Sequence, residues 1–290
     1  MNERFARQIG FFGKEGQEKL RAVRIAVVGV GGLGTHVVQQ LSLLGVGSLV
    51  LIDSEELDVS NRNRYVGAWH GDPIPGSWKV DLGERLVRLI DPDIGVAKVA
   101  DSFVSVDGFR EIIHSDYVFG CLDSEGARLI LNELCAAYDR RYFDLASDVV
   151  PGSQLSYGGR VCVAAGGNGC IVCLGVLDQE EARSDLAGPE ERRARGAIYG
   201  VERTAFDRSG PSVVSINGVV ASVGVTEFMA GVTGLRTPNR LVTYYGHMGR
   251  LAVRTEEPAP DCYYCKGVRG QGAVVDVERY VRHGVGEFLR

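Results

Sequence analysis

The chain has 290 residues, 45% of them hydrophobic and 24% charged, with a net charge of −5. That length suits about two domains or one large α/β domain with a sizeable core, and the composition is that of an ordinary soluble protein. The acidic balance gives no general reason to bind nucleic acid, and no basic run interleaved with aromatics occurs. No run approaches the roughly 18 apolar residues of a membrane span. The charged start, with Arg4, Arg7, Lys14 and Glu15, lacks a signal-peptide core, so the expected compartment is the cytoplasm.

Residues 1–22 have a charged helical pattern, a cap ahead of the first strand. Apolar strands at 25–28, 49–52, 96–99 and 117–122 then alternate with helical patterns at 34–45 and 80–91. A helix at 128–140 and a strand near 142–146 follow, which predicts a parallel, doubly wound sheet of Rossmann-like type over 23–150. Between the elements, His70-Gly-Asp-Pro73-Ile-Pro75-Gly76 cannot be helical through both prolines, and it adjoins Lys79 at the border of the expected site. The part from 151 to 290 opens with a glycine-rich, β-like stretch, Ser153 to Ala165. The charged segment 178–210, with Arg192, Arg193 and Arg195, has few large apolar residues and reads as a mobile surface. An apolar helix at 212–234 and an alternating, strand-like stretch at 239–254 follow. The three parts read as one continuous domain, without internal repeats.

The glycine loop Gly29-Val-Gly31-Gly32-Leu-Gly34 directly follows the apolar run Ile25 to Val28, and Asp53 closes the next apolar run, Leu49 to Ile52. Gly29 permits a tight turn, Gly31 and Gly32 let backbone N–H groups approach phosphate, and Gly34 lets the helix pack on the strand. The helix N-terminus adds unpaired donors and a positive dipole end. Asp53 stands where a carboxylate accepts bonds from ribose hydroxyls. By itself this pattern indicates a nucleotide and leaves the chemistry open, since a tight strand-to-helix turn occurs in any doubly wound protein.

Ser60-Asn61-Arg62-Asn63-Arg64, Lys79 in Gly76-Ser-Trp-Lys79, and Asp123 after the apolar run Tyr117 to Leu122 narrow the choice. Hydride transfer needs a nicotinamide pocket and a proton relay. Two cations, an amide and a second acid suit a triphosphate under attack, with Arg and Lys offsetting its charge and a carboxylate holding Mg²⁺. ATP is therefore favoured over NAD. Asp123 also suits a helix cap near Ser124, but its place at the ligand edge of a parallel sheet favours function. His36, in the first helix, reads as packing or solvent contact.

Cys121, Cys135 and Cys162 stand singly in apolar patterns, where small buried thiols are common. The other four cysteines form two Cys-x-x-Cys pairs, Cys170 with Cys173 and Cys262 with Cys265. In a reducing compartment four thiolates complete a closed, structural Zn²⁺ site. Such a site would staple the C-terminal segment to the middle of the chain.

Over nearly its whole length the chain resembles the ThiF/MoeB/HesA family of ubiquitin-activating-like adenylyltransferases. The resemblance is carried by Arg4-Phe-Ala-Arg7-Gln8-Ile9, Gly16-Gln-Glu-Lys-Leu20, the glycine loop, Ser60-Asn61 with Arg64, Gly76-x-x-Lys79, and Asp123 with Arg128 and Asn132. The paired cysteines and Ser215-Ile-Asn217-Gly218 extend it. It implies a homodimer in which Arg7 reaches the partner subunit's ATP site, with Asn61, Arg64 and Lys79 as phosphate ligands and Asp123 as the magnesium-binding acid. It also implies an antiparallel extension over Ser153 to Ala165, where a partner protein's tail rests, and a crossing of the active site by 178–210. In this family some members carry the zinc and some lack it.

The implied reaction is ATP- and Mg²⁺-dependent adenylation of the C-terminal carboxylate of a ubiquitin-like or sulfur-carrier protein, giving acyl-AMP and pyrophosphate. Leu174 to Asp261 contains no cysteine. Ubiquitin-type activating enzymes commonly place a thioester nucleophile there, so the resemblance implies a reaction that stops at the adenylate. The alternatives are a ribosomally made peptide as the carboxylate, a less attractive tRNA-bound substrate, a scaffold half of a heterodimer without turnover, and an NAD-dependent oxidoreductase. Arg64, Lys79 and Asp123 speak against the scaffold, and only the glycine fingerprint supports the oxidoreductase.

Overall fold

The computed structural model describes residues 3–150, 156–187, 211–255 and 257–288. Helix α1 (Ala6–Ala22) precedes a run of alternating strands and helices: β1 (Arg24–Val28), α2 (Gly32–Leu44), β2 (Ser48–Ile52), α3 (Lys79–Ile90), β3 (Gly95–Val99), α4 (Val106–Ile113), β4 (Tyr117–Gly120), α5 (Glu125–Ala137) and β5 (Arg141–Val150). Then come β6 (Ser156–Ala164), α6 (Gln179–Leu186), α7 (Val214–Thr233), β7 (Leu241–Tyr245) and β8 (Arg250–Arg254). Among the described residues eight strands form one sheet in the order β3-β2-β1-β4-β5-β6-β7-β8. Neighbours from β3 to β5 pair in parallel, and β6, β7 and β8 add an antiparallel extension. After their first residues, Arg24 and Ser48, the inner strands β1 and β2 are continuously apolar, and β4 is fully buried, because helices cover both faces. Strand order reverses between β1 and β4, and ligands of open α/β sheets bind outside the carboxyl ends of the strands at such a switch.

One face of the sheet packs Leu20, Val27, Leu41, Phe119, Phe143 and Phe228 together, and the other packs Val28, Ile130, Leu134 and Tyr142. Phe119 stacks on Phe143 at 4.9 Å between ring centroids, with Phe228 edge-on to both. Phe228 comes from α7, which among the described residues passes for a membrane span by length and mean composition alone, although Ser215, Asn217, Ser222, Thr226 and Glu227 interrupt its apolar residues, in keeping with the expectation that no apolar run reaches a span. Here it packs against α1, α2, β5 and β6. A mostly apolar helix packed on four neighbouring elements is a core helix in this setting.

Several elements differ from the pattern read in the sequence. Strand β4 ends at Gly120, which leaves Cys121 to Asp123 as a loop at the ligand edge. Helix α5 begins at Glu125, with the Ser124 hydroxyl accepting the Ala127 N–H at 3.3 Å. Helix α4 was not expected. It is a short element whose N-terminus is closed by the Ser105 hydroxyl accepting the Gly108 N–H at 3.1 Å. The charged segment from 178 begins with a folded helix, α6, whose Ala182 is buried and which packs on α5. Arg192, Arg193 and Arg195 lie outside the described residues.

Candidate active site

The carboxyl ends of β1, β2 and β4 open onto a cleft of about 790 Å³. Gly29, Gly31, Gly32, Asp53, Asn61, Arg64, Lys79 and Asp123 all line it, so residues spread over nearly a hundred positions converge. Gly34 lies just beneath, where a Cβ would stand 1.9 Å from the Gly29 carbonyl oxygen. Arg7 is exposed on α1 and is not part of the lining.

The glycine loop is shaped by what cannot fit. Gly29 has φ +88°, and a Cβ there would stand 2.6 Å from the Cys121 carbonyl oxygen. Gly31 takes the N-cap position of α2 with no side-chain cap, which leaves the helix's first amides to the cleft. At Gly32 a Cβ would meet Arg64 Cγ and Asn217 Nδ2, each at 2.9 Å.

Asp53 does more than the sequence suggested. Its carboxylate accepts the Val30 N–H at 2.7 Å and the Glu55 N–H at 2.9 Å, tying the end of β2 to the glycine loop. Burial pushes its carboxyl up, against the opposing pull of the Lys79 charge and these two N–H groups. Lys79 is only 6% exposed and makes an ion pair with the exposed Glu55 carboxylate. Arg64 donates to the Ser60 carbonyl at 2.5 Å and to Asn63 Oδ1 at 3.1 Å. Asn61 Oδ1 accepts the Asp58 N–H at 3.1 Å in a reciprocal turn.

Asp123 is exposed to the cleft on the loop after β4. Its backbone is held from behind by Arg128, which donates twice to the Leu122 carbonyl, at 2.5 and 3.1 Å. Arg128 also reaches Asp144 Oδ2 at 3.2 Å, and the Tyr142 hydroxyl donates to Asp144 Oδ1 at 2.8 Å. From above, Asp185 of α6 accepts the Ser124 hydroxyl at 2.9 Å and the Gly126 N–H at 3.0 Å. Asn217 bridges to the sheet extension, accepting the Ser147 hydroxyl at 2.7 Å and donating to Ser212 Oγ at 3.1 Å. Glu55 and Asp185 were missed in the sequence. Glu55 had a local signal, two residues past Asp53, whereas nothing marks Asp185 as a neighbour of Ser124. His36 is half-buried with its ring 3.5 Å from where a Gly218 Cβ would stand, a packing role.

Away from the cleft, Cys170, Cys173, Cys262 and Cys265 bring their four sulfurs within 4.8 Å of one another. The Cys170–Cys173, Cys170–Cys262 and Cys173–Cys265 sulfur separations are 3.8, 3.7 and 3.8 Å. Four thiolates at about 2.3 Å from a tetrahedral Zn²⁺ stand about 3.8 Å apart, so the cluster fits that ion. The turn carrying Cys265 is further tied to α5, with the Gly270 N–H donating to the Ala136 carbonyl at 3.0 Å.

A glycine loop at a topological switch, with an arginine, a lysine and an exposed aspartate around it, makes a cleft suited to a nucleotide in an α/β protein. The chain belongs to the ThiF family, whose sequence profile matches residues 5–264. It is 26% identical to Protein HesA, vegetative, of Trichormus variabilis over 272 residues, 91% of this chain and 89% of that protein. It is 25% identical to adenylyltransferase and sulfurtransferase MOCS3 of Drosophila yakuba over 281 residues, 96% of this chain and 56% of that protein. The solved structure of E. coli MccB with ATP shares the fold, with a TM-score of 0.68 at 19% identity over 91% of this chain and 75% of that one.

The Arg128–Asp144 pair underpins the Asp123 loop. Arg128→Leu leaves Asp144, which is 0% exposed, without its counter-charge, at a cost of about 3–5 kcal/mol. Urea unfolding measures this, and a loss below about 1 kcal/mol, the value of an exposed pair, would contradict the assignment.

Proposed function

We propose that this protein adenylates the C-terminal carboxylate of a small ubiquitin-like or sulfur-carrier protein at the expense of ATP. The observation that carries the reading is the convergence of the glycine loop, Arg64, Lys79 and Asp123 on one cleft. A carboxylate oxygen attacks the α-phosphorus of ATP, the bond from that phosphorus to the bridging oxygen breaks, and pyrophosphate leaves with the bonding pair. This chemistry asks for positioning and charge stabilisation rather than a protein nucleophile.

Each residue has a defined part in this reading. The α2 amides and Arg64 face the phosphates, and Lys79 exchanges the Glu55 carboxylate for a phosphate oxygen. Asp53, already braced by Val30 and Glu55, presents its remaining lone pairs to the ribose. Asp123, an exposed carboxylate on the loop after β4, suits Mg²⁺, which keeps several waters and binds through one or two carboxylates plus phosphates. When bound there, the ion would offset charge on the phosphates. The exposure of Arg7 outside the lining supports a role in the partner subunit's site of a homodimer. The four-cysteine cluster suits a structural Zn²⁺ that staples the C-terminal turn to the middle of the chain.

Cys121 lines the cleft, and burial pushes its thiol up. A transferring nucleophile needs the reverse, which supports a reaction that stops at the acyl-adenylate. A ribosomally made peptide is the second reading for the carboxylate. The likeness in fold to MccB, also solved with N-formylated MccA, favours it.

Pyrophosphate exchange into ATP should require both Mg²⁺ and a carrier ending in a free carboxylate, and Asp123→Ala should abolish it. Full exchange in that variant would contradict the assignment. Elemental analysis should find zinc equimolar with the chain, and Cys262→Ser should lose the metal and lower the thermal midpoint. A metal-free protein of unchanged stability with four titratable thiols would contradict the staple.

A further inference from the structure

The wall of the cleft built by the antiparallel extension carries a cation of its own. In β6, Arg160 pairs with Ala146 of β5, and two residues before Ala146, Asp144 pairs with Gly120, the last residue of β4. Arg160 therefore overhangs the ligand edge, two strands from β4 or about 10 Å across the sheet at a strand spacing of about 4.8 Å. Gly159 is wedged so that a Cβ there would stand 2.4 Å from both the Ala146 carbonyl oxygen and Val220 Cγ2.

Arg160 lines the cleft with its side chain 24% exposed. Its bonding is incomplete. Nη2 reaches Glu125 Oε1 only at 3.5 Å, and Nε is shielded from solvent with no acceptor. Glu125 is itself shared, since Oε1 also lies 3.7 Å from Arg128 Nε and Oε2 accepts the Asp178 N–H at 2.9 Å. The other cations of the cleft are engaged: Lys79 by Glu55, Arg64 by Ser60 and Asn63, and Arg128 by Leu122 and Asp144. A ligand carboxylate in the cleft would meet the outer guanidinium nitrogens of Arg160, which hold Glu125 only at 3.5 Å.

We propose that Arg160 receives the C-terminal carboxylate of the substrate, holding one oxygen and leaving the other to face the α-phosphate. The assignment rests on the adenylation reading and adds to it the residue that tells a free chain terminus from an amide. The phosphate-binding groups Arg64 and Lys79 come from the β2 side of the glycine loop. Arg160 comes from the opposite side, on the extension, so phosphate and carboxylate are met by different cations.

The test is pyrophosphate exchange with ubiquitin-like and sulfur-carrier proteins and a pool of random hexapeptides, each offered as the free acid or as the C-terminal carboxamide, to the wild type, Arg160→Gln and Arg160→Lys. The wild type should turn over the acids and ignore the carboxamides. Arg160→Gln should raise KM for the acids by ~10- to 100-fold, the value of a charge-assisted hydrogen bond, with KM for ATP unchanged and with part of the loss restored in Arg160→Lys. In the wild type, the ¹⁵N-edited resonance of Arg160 Nε should shift on addition of the acids and stay in place with the carboxamides, a readout that depends on no variant folding. Exchange in the wild type together with an unmoved KM in Arg160→Gln, or an unmoved Nε resonance, overturns the role of Arg160 and leaves adenylation standing. No carboxylate-dependent exchange in the wild type overturns both.

Discussion

The contact on which the cleft depends is one that no side chain could survive, the approach of Gly34 to the Gly29 carbonyl oxygen. A Cβ at 1.9 Å is impossible, so its absence lets α2 rise directly from the end of β1 and aim its first amides at the switch point between β1 and β4. Three neighbours then lock the loop. The Cys121 carbonyl lies against Gly29, the Arg64 stem covers Gly32, and the Asp53 carboxylate accepts the Val30 N–H. The donors that would meet a phosphate are thereby fixed before any ligand arrives, the condition under which electrostatic stabilisation of a transition state costs no reorganisation.

A second layer of buried polar contacts carries this rigidity to Asp123. Arg128 grips the Leu122 carbonyl while paired with Asp144, and Asp185 caps the start of α5 through Ser124 and Gly126. The connection that begins with α6 thus leaves from beside Asp123. It also returns to the cleft, since Glu181 at one end and Pro211 and Ser212 at the other are part of the lining. The C-terminal turn is tied to α5 by a further buried acid, Glu133, which binds Arg279 at 2.7 Å and the Tyr280 hydroxyl at 2.8 Å. Substrate-facing and structural parts of the chain therefore meet on one helix.

Much of this was legible in the sequence because the signals were local. The glycine loop, Asp53, the Asn61 to Arg64 run, Lys79 and the paired cysteines are each short motifs whose residue types imply a geometry. Their convergence followed from alternating strands and helices that allow only a few topologies. What escaped depends on distant partners. Asp185 and Arg160 look like ordinary surface charges until the fold brings them to Ser124 and Glu125. Helix α4 is too short for its period to stand out, and α7 has the composition of either a core helix or a membrane span. Only the helices and strands packed around it decide between those two.

The central claim is that a substrate carboxylate attacks the α-phosphorus of ATP in this cleft. Its most direct measurement follows ¹⁸O from a substrate labelled in both oxygens of its C-terminal carboxylate. After the activated product is cleaved at its acyl carbon with hydroxylamine, mass spectrometry locates the label. The account predicts AMP carrying a single ¹⁸O, with none in pyrophosphate. Label in inorganic phosphate with ADP as co-product would place the attack at the γ-phosphorus, and AMP without label would remove the acyl-adenylate from the reaction.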